Sequence, residues 1–243
     1  LKEFKTLNNI TIVTNGTIPY SNKFKVLKEN NISRVMFSLD NFARPKEAQY
    51  EKVIKNLLKF KKAQIPIKIR TTINKKNIGF IEEITKLALK LEIPLVRFGV
   101  YQSLGKGSQK ELLDKWKLEE KDYIILFNQF YKTMTKYKDQ LNLKLSVPAS
   151  IKTNSEEVLK LIQKTKLKEY MKFLKCFAFH KRFTIHSNGN VTQCLQSCSP
   201  VVLGNIKTES LNAILLKENK FKKGHSCNQG HIIVSSNNKS HDL

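Results

Sequence analysis

The chain has four cysteines in 243 residues: Cys176, Cys194 and Cys198 lie close together, and Cys227 follows. Thiolates are soft ligands for zinc or an iron–sulfur cluster, and either site needs several of them held at fixed offsets. The segment between the first two can fix such an offset. Phe183, Thr184 and Ile185 read as a strand, Ser187-Asn188-Gly189 as a turn, and Val191 to Cys194 as the return. An Asn-Gly pair supplies the positive-φ residues of a tight hairpin. Cys176 enters from the preceding helix. The competing reading is that these cysteines are small core hydrophobes, because free Cys is often buried. Four in a chain this long are too few for a disulfide scaffold, and their clustering suggests reduced thiols and a cytoplasmic setting.

A second group of candidates lies at strand ends. Ile10–Val13, Arg34–Ser38, Ile65–Thr71 and Pro94–Tyr101 read as short strands with helices between them. One helix runs from Ser21 toward Asn30. Another runs from Pro45 to Lys62, with Tyr50, Val53, Ile54, Leu57 and Leu58 on one face. A third is capped by Asn77 and turns Ile81, Ile84, Leu87, Ala88 and Leu91 inward. Strand alternating with helix predicts right-handed crossovers and a parallel sheet. Sites in such sheets sit at the carboxyl ends of the strands. Here those ends read TNGT, SLDN, RTTINKKN and VRFGVYQSLGKG. Residues of these types also terminate strands with no further role.

Two features together carry a resemblance. Cys176, twelve residues, Gly189, four residues and Cys194, followed by Leu203-Gly204-Asn205-Ile206, are similar to the opening of a SPASM or twitch module. The four strand ends resemble the later strands of the radical S-adenosylmethionine (SAM) partial barrel. That family has TNG after its third strand, S-L/I-D-G after its fourth, an Asn-containing loop after its fifth and a Gly-rich loop after its sixth. Asn41 stands where the family usually has Gly.

The resemblance implies an α/β fold: an incomplete radical SAM partial (β/α) barrel with parallel strands, then a small α+β SPASM/twitch-like domain built on a β-hairpin. It implies SAM as cofactor, with Thr14, Asn15, Gly16, Ser38, Asp40, Asn77 and Arg97 as binding residues. Ser38 would hydrogen-bond the amino-acid end of SAM, and Gly16 would let the backbone approach the ligand. Asp40 fits equally as a ligand or as a loop-orienting group, Asn15 as a ligand or a turn residue, and Asn77 as a helix cap or a ligand. Arg70 and Arg97 lie on strands of opposite pattern phase, and alternation leaves open which points into the barrel. An auxiliary [4Fe–4S] cluster would sit on Cys176, Cys194, Cys198 and Cys227. Cys198 is not in the usual place, so His225 or His231 is an alternative fourth ligand, and zinc an alternative metal.

The activity implied is reductive cleavage of SAM to a 5′-deoxyadenosyl radical that takes hydrogen from a peptide or protein substrate. The family's Cys-x-x-x-Cys-x-x-Cys loop does not occur in the sequence. The chain is therefore expected to be inactive alone, with an upstream chain or fragment supplying that motif. Two rivals remain: a non-catalytic basic metal-binding module for peptide or nucleic acid, and a complete barrel enzyme using Asp40 with a nearby Lys.

The expected divisions are 1–110 for the barrel strands, 111–175 for a helical bridge, 176–230 for the auxiliary domain and 231–243 for a disordered tail. In the bridge, Leu118, Tyr123, Ile124, Phe127, Phe130 and Tyr131 form a packing stripe, Leu141–Pro148 reads as an edge strand, and Ser155–Lys175 as a helix. The hairpin's His180 and His186 are expected at the surface. With 40% apolar and 26% charged residues, the chain has the composition of a globular protein and no run long enough to span a membrane. The net charge of +24 comes mainly from Lys spread over nearly every helix. That distribution argues against a nucleic-acid patch and equally permits an acidic peptide or other anionic partner.

Overall fold

The computed structural model describes residues 10–19, 23–30, 32–40, 48–102, 109–149, 155–175, 183–192, 201–217 and 230–236. The chain divides into two compact units. One comprises Leu1–Val147, Glu156–Lys172 and Ile232–Leu243; the other comprises Pro148–Ser155 and Phe173–His231.

The first unit holds the expected alternation. Strands β1 (Ile10–Thr14), β2 (Ile32–Ser38), β3 (Ile67–Ile73), β4 (Leu95–Val100) and β5 (Asn142–Ala149) pair in chain order and in parallel. The intervening helices are α1 (Phe24–Glu29), α2 (Ala48–Lys62), α3 (Ile81–Lys90), α4 (Lys110–Trp116) and α5 (Glu120–Tyr137). On β2 to β5 burial alternates along the strand: Val35 and Phe37, Ile69 and Ile73, Val96 and Phe98, and Leu143 and Leu145 are at most 1% exposed. Helices cover this face. Phe37 meets Phe60 of α2 edge-on at 5.2 Å, and Phe98 meets Phe130 of α5 at 6.1 Å. A period of two on the strands and 3.6 on the helices is what lets the two layers share one core.

Several sequence expectations need correction. Leu141–Pro148 is not an edge strand: β5 lies between β4 and β10 (Gly230–Ser235), with β6 (Met171–Lys175) beyond. The tail expected to be disordered therefore begins with a strand, because Ile232 and Val234 alternate and are fully buried. The Ser155–Lys175 helix stops at Gln163 as α6 (Ser155–Gln163), where the Thr165 hydroxyl accepts from the Leu167 amide and starts a 3-10 turn over Lys166–Tyr170. Leu58 and Ile124, placed on inward faces by spacing, are exposed; Phe60, Leu126 and Met134 are buried instead. No helix among the described residues is long and apolar enough to cross a membrane.

One ionic contact ties α3 to α5. Glu82 accepts from Lys136 Nζ at 2.8 Å and from the Tyr137 hydroxyl at 3.1 Å. The Lys136 and Tyr137 bonds hold its carboxyl at about 2, against an ordinary 4.5. A depressed folded-state value means a stabilisation that is complete above the unfolded-state value and is lost as the pH falls toward the folded one. The melting temperature should therefore fall between pH 4.5 and 2, and Glu82→Gln should flatten that part of a calorimetric pH series.

Gly16 gives a second test. Its φ is +72°, and a Cβ there would lie 2.8 Å from the Phe37 ring and 3.1 Å from Val53. Gly16→Ala should destabilise the unit by about 1–3 kcal/mol in urea melts.

Candidate functional site

The carboxyl ends of β1, β2 and β3 are built as interlocked loops. Thr14 Oγ1 accepts from the Gly16 amide at 3.1 Å, and the Gly16 carbonyl accepts from the buried Asn56 side chain on α2 at 2.7 Å. Asn15 is exposed; its Oδ1 accepts from the Thr17 amide and hydroxyl. The bare side of Gly16 faces Phe37 and Val53. The core beneath the loop thus requires a glycine at this position.

Asp40 Oδ1 accepts from the Thr72 amide at 2.6 Å, which joins the loop after β2 to the end of β3. Asn77 is 1% exposed. Its Oδ1 accepts from the Asn74 amide at 2.8 Å, and its Nδ2 donates to the carbonyls of Thr72 at 2.8 Å and Asp40 at 3.3 Å. Asn77 caps no helix with its side chain. Both ends of its amide hold neighbouring loops together, which corrects the expectation of a helix cap.

The face of the sheet opposite the helices carries the polar residues. Register makes Ser38 the partner of Arg70, Arg70 of Arg97, and Arg97 of Lys144. These four residues form one transverse row across β2–β5, with neighbours ~4.8 Å apart along it. Arg70 and Arg97 therefore share a face, and both are exposed; the opposite phases read from the sequence do not hold. The next row toward the carboxyl ends is Thr72, Gly99 and Ser146. Among the described residues, a Cβ on Gly99 would meet nothing within 4 Å, so the sheet is open at that point. Sequence reasoning missed Lys144, Thr72 and Ser146. The alternation in IKIRTTI and LKLS signals their phase, but nothing local signals their register.

A separate cavity of about 590 Å³ opens at the amino ends of β2–β5, with Arg34, Lys61, Gln64, Lys68 and Asn142 in its lining.

The second unit contains the hairpin. Strands β7 (Thr184–Ile185), β8 (Asn190–Thr192) and β9 (Val202–Asn205) form an antiparallel sheet. Only Gly189 of the expected Asn-Gly pair has a positive φ, +93°. A Cβ on it would lie 2.5 Å from Asn205 Oδ1. Asn205 Nδ2 donates to Asn190 Oδ1 at 2.8 Å, and the Ile206 amide donates to the Gly189 carbonyl at 2.9 Å. Gly204 leaves room for Ile214 of helix α7 (Leu211–Leu216), which joins Val191 and Leu203 in a small core. His186, expected at the surface, is partly buried, its Nε2 2.9 Å from Thr192 Oγ1. Cys176, Cys194, Cys198 and Cys227, and the alternative ligand His225, lie outside the described residues, as does the side chain of His231.

Residues 176–240 match the SPASM family, an iron-sulfur cluster-binding domain. The fold, an α/β unit on a mostly parallel sheet and a small hairpin-containing unit, is shared with solved structures. Among solved structures, anSMEcpe with bound AdoMet is similar at 17% identity and a TM-score of 0.58, over 88% of this chain and 58% of that one. Streptococcus suis SuiB is similar at 15% identity and a TM-score of 0.59, over 84% of this chain and 48% of that one. A further anSMEcpe structure, with AdoMet and the Kp18Cys peptide, is 19% identical with a TM-score of 0.57, over 88% and 59%. The chain thus spans less than two thirds of the length of these proteins. No curated protein matches the sequence.

The hairpin geometry is open to direct test. Gly189→Ala should cost the second unit about 1–3 kcal/mol. It should also raise hydrogen exchange at the Ile206 amide, and exchange at Ile69 and Val96 in the first unit should stay unchanged.

Proposed function

We propose that this chain is the SAM-binding and auxiliary-cluster portion of an enzyme that modifies a peptide or protein side chain by radical chemistry. The observation that carries the reading is the SPASM match over 176–240, together with a sheet in the first unit that presents Ser38 and Arg70 side by side on the face away from the helices. The AdoMet-bound structures of the same fold support SAM as the cofactor, and the peptide-bound structure supports a peptide substrate.

The residues present fit SAM. Arg70, next to Ser38 in the row, pairs with the carboxylate of SAM, and the Ser38 hydroxyl hydrogen-bonds the same end. The open space above Gly99, between Thr72 and Ser146, takes the bulk of the nucleoside. Asn15 offers its Nδ2 as a donor, since its Oδ1 already serves Thr17. Thr14, Gly16, Asp40 and Asn77 act one step back and hold the loops in place. Arg97 is two strands from Ser38, so Arg70 takes the cofactor role first considered for it.

Cys176, Cys194, Cys198 and Cys227 give the four soft donors that a [4Fe–4S] cluster takes, and thiols kept reduced for that use fit a cytoplasmic setting. When bound, SAM and its cluster supply the one-electron chemistry that removes hydrogen from an unreactive C–H bond. This chain's residues bind, orient and shield. The 243 residues contain no Cys-x-x-x-Cys-x-x-Cys run, so by themselves they bind SAM without cleaving it.

The test is anaerobic reconstitution of the chain with iron and sulfide, followed by metal analysis and calorimetric titration with SAM. The expected result is bound iron that is lost in Cys176→Ala and Cys194→Ala, and SAM binding weakened about tenfold in Ser38→Ala, the loss of one hydrogen bond. Zinc without iron, or no SAM binding, would overturn the reading in favour of a plain metal-binding module.

A further inference from the structure

We propose that the outward face of α2 is a docking surface for an acidic α-helix of a partner protein, held through a stripe of four lysines, Lys52, Lys55, Lys59 and Lys62. This surface lies on the solvent side of the helix layer, away from the polar face of the sheet, and the proposal stands whether or not that face takes SAM.

Charge is not spread evenly over the helices. α2 carries five lysines against one glutamate, Glu51, which stands in the first turn before the stripe. α3 and α4 carry as many acidic as basic side chains, and α6 carries more acid than base. α1 has two lysines against one glutamate, and α5 three lysines against two carboxylates. Ion pairing shows the same contrast. Lys25, Lys86, Lys121 and Lys136, on α1, α3 and α5, each reach a carboxylate. On α2, Lys61 reaches Glu92. Among the described residues, Lys52, Lys55, Lys59 and Lys62 make no ion pair. Like charges three or four residues apart weaken a helix, so the stripe works against α2 in the isolated chain.

The other side of α2 belongs to the core. Val53, Leu57 and Phe60 are buried, and the Asn56 side chain holds the Gly16 carbonyl. The lysines are therefore turned to solvent: Lys52, Lys55 and Lys62 are exposed and Lys59 is half-buried. They are three, four and three residues apart. On a helix that spacing confines them to an arc of about 80° and sets them at heights of about 0, 4.5, 10.5 and 15 Å. A second helix laid alongside, with Asp or Glu three, four and three residues apart, repeats those heights. Alternate side chains of an extended segment recur every ~6.6 Å and fall out of step with them. The stripe has no Arg, the side chain whose planar fork suits phosphates of nucleic acid. Among the described side chains of α2, Leu58 is the large apolar one left exposed, too little to anchor the helix in a lipid surface. An apolar side chain on a partner helix would cover it. Charge complementarity and spacing thus select an acidic helix.

The probe is a fluorescein-labelled Ala/Gln helix of about 18 residues with four Glu at that spacing, titrated against the full chain by fluorescence anisotropy. An isomer with its four Glu in consecutive positions is the comparison, and circular dichroism follows the fold of every variant. The spaced peptide should bind at least about fivefold more tightly than its isomer and weaken with added salt. The variant Lys52→Gln/Lys55→Gln/Lys59→Gln/Lys62→Gln should lose about tenfold or more in affinity. It should melt no lower than the wild type, because repulsion along α2 is relieved. The charge-keeping variant Lys52→Arg/Lys55→Arg/Lys59→Arg/Lys62→Arg should retain binding. The control Lys90→Gln/Lys117→Gln/Lys132→Gln/Lys138→Gln removes the same charge from exposed positions elsewhere in the unit, and its affinity should hold within about twofold.

Equal binding of the two peptides would overturn the proposal, as would a stripe variant that binds the spaced peptide like the wild type. A loss of the same size in the control variant would also overturn it, because net charge alone would then be the cause. Vesicles of phosphatidylcholine with phosphatidylserine, or a duplex DNA, are titrated in parallel. Either one held more tightly than the spaced peptide, through the same four lysines, would assign the face to a lipid surface or to nucleic acid and overturn the helical partner.

Discussion

The parallel register of β2 through β5 is the constraint on which the rest of the first unit depends. Side chains alternate across a sheet, so a slip of one residue in any strand would drive its polar set under the helices. Lys68, Arg70, Arg97 or Lys144 would then be buried without water, at a cost well beyond what one strand contributes. Val35, Phe37, Ile69, Val96, Phe98, Leu143 and Leu145, all essentially inaccessible, fix the register from the other side. The apolar face thus decides where the cations stand.

Loops at the carboxyl ends are held by the same economy of backbone bonds. The side chains of Asp40 and Asn77 satisfy amides and carbonyls of the neighbouring loop. Asn56 does the same for the Gly16 carbonyl from a helix below. Where these groups are buried they would otherwise lack partners, and bonding them fixes the loops. The row of Ser38, Arg70, Arg97 and Lys144 lies on the strands just before that rim.

In the second unit a different device does the positioning. Among the described residues, its core is Val191, Leu203 and Ile214 with Val201 and Leu211 packed against them, small for holding a sheet in place. Asn205 compensates by bonding two segments of the hairpin at once, and Gly189 and Gly204 let backbone and side chains approach where a Cβ would collide.

The strand–helix alternation, the parallel class of the sheet, the Gly-turned hairpin and the cysteine pattern of the SPASM match were legible in the residues themselves, because periodicity, turn chemistry and ligand spacing are local properties. Local patterning also placed Ser38, Asp40 and Arg97 near strand ends. It could not say that Asn77 spends its amide on two loops, that Gly16 is dictated by Phe37, or that residues 230–235 enter the large sheet. Nor could it place Arg70, Arg97 and Lys144 in one row. Each of those facts depends on which residues far apart in the chain come to lie opposite one another, and that is fixed only when the strands choose their register against a shared core.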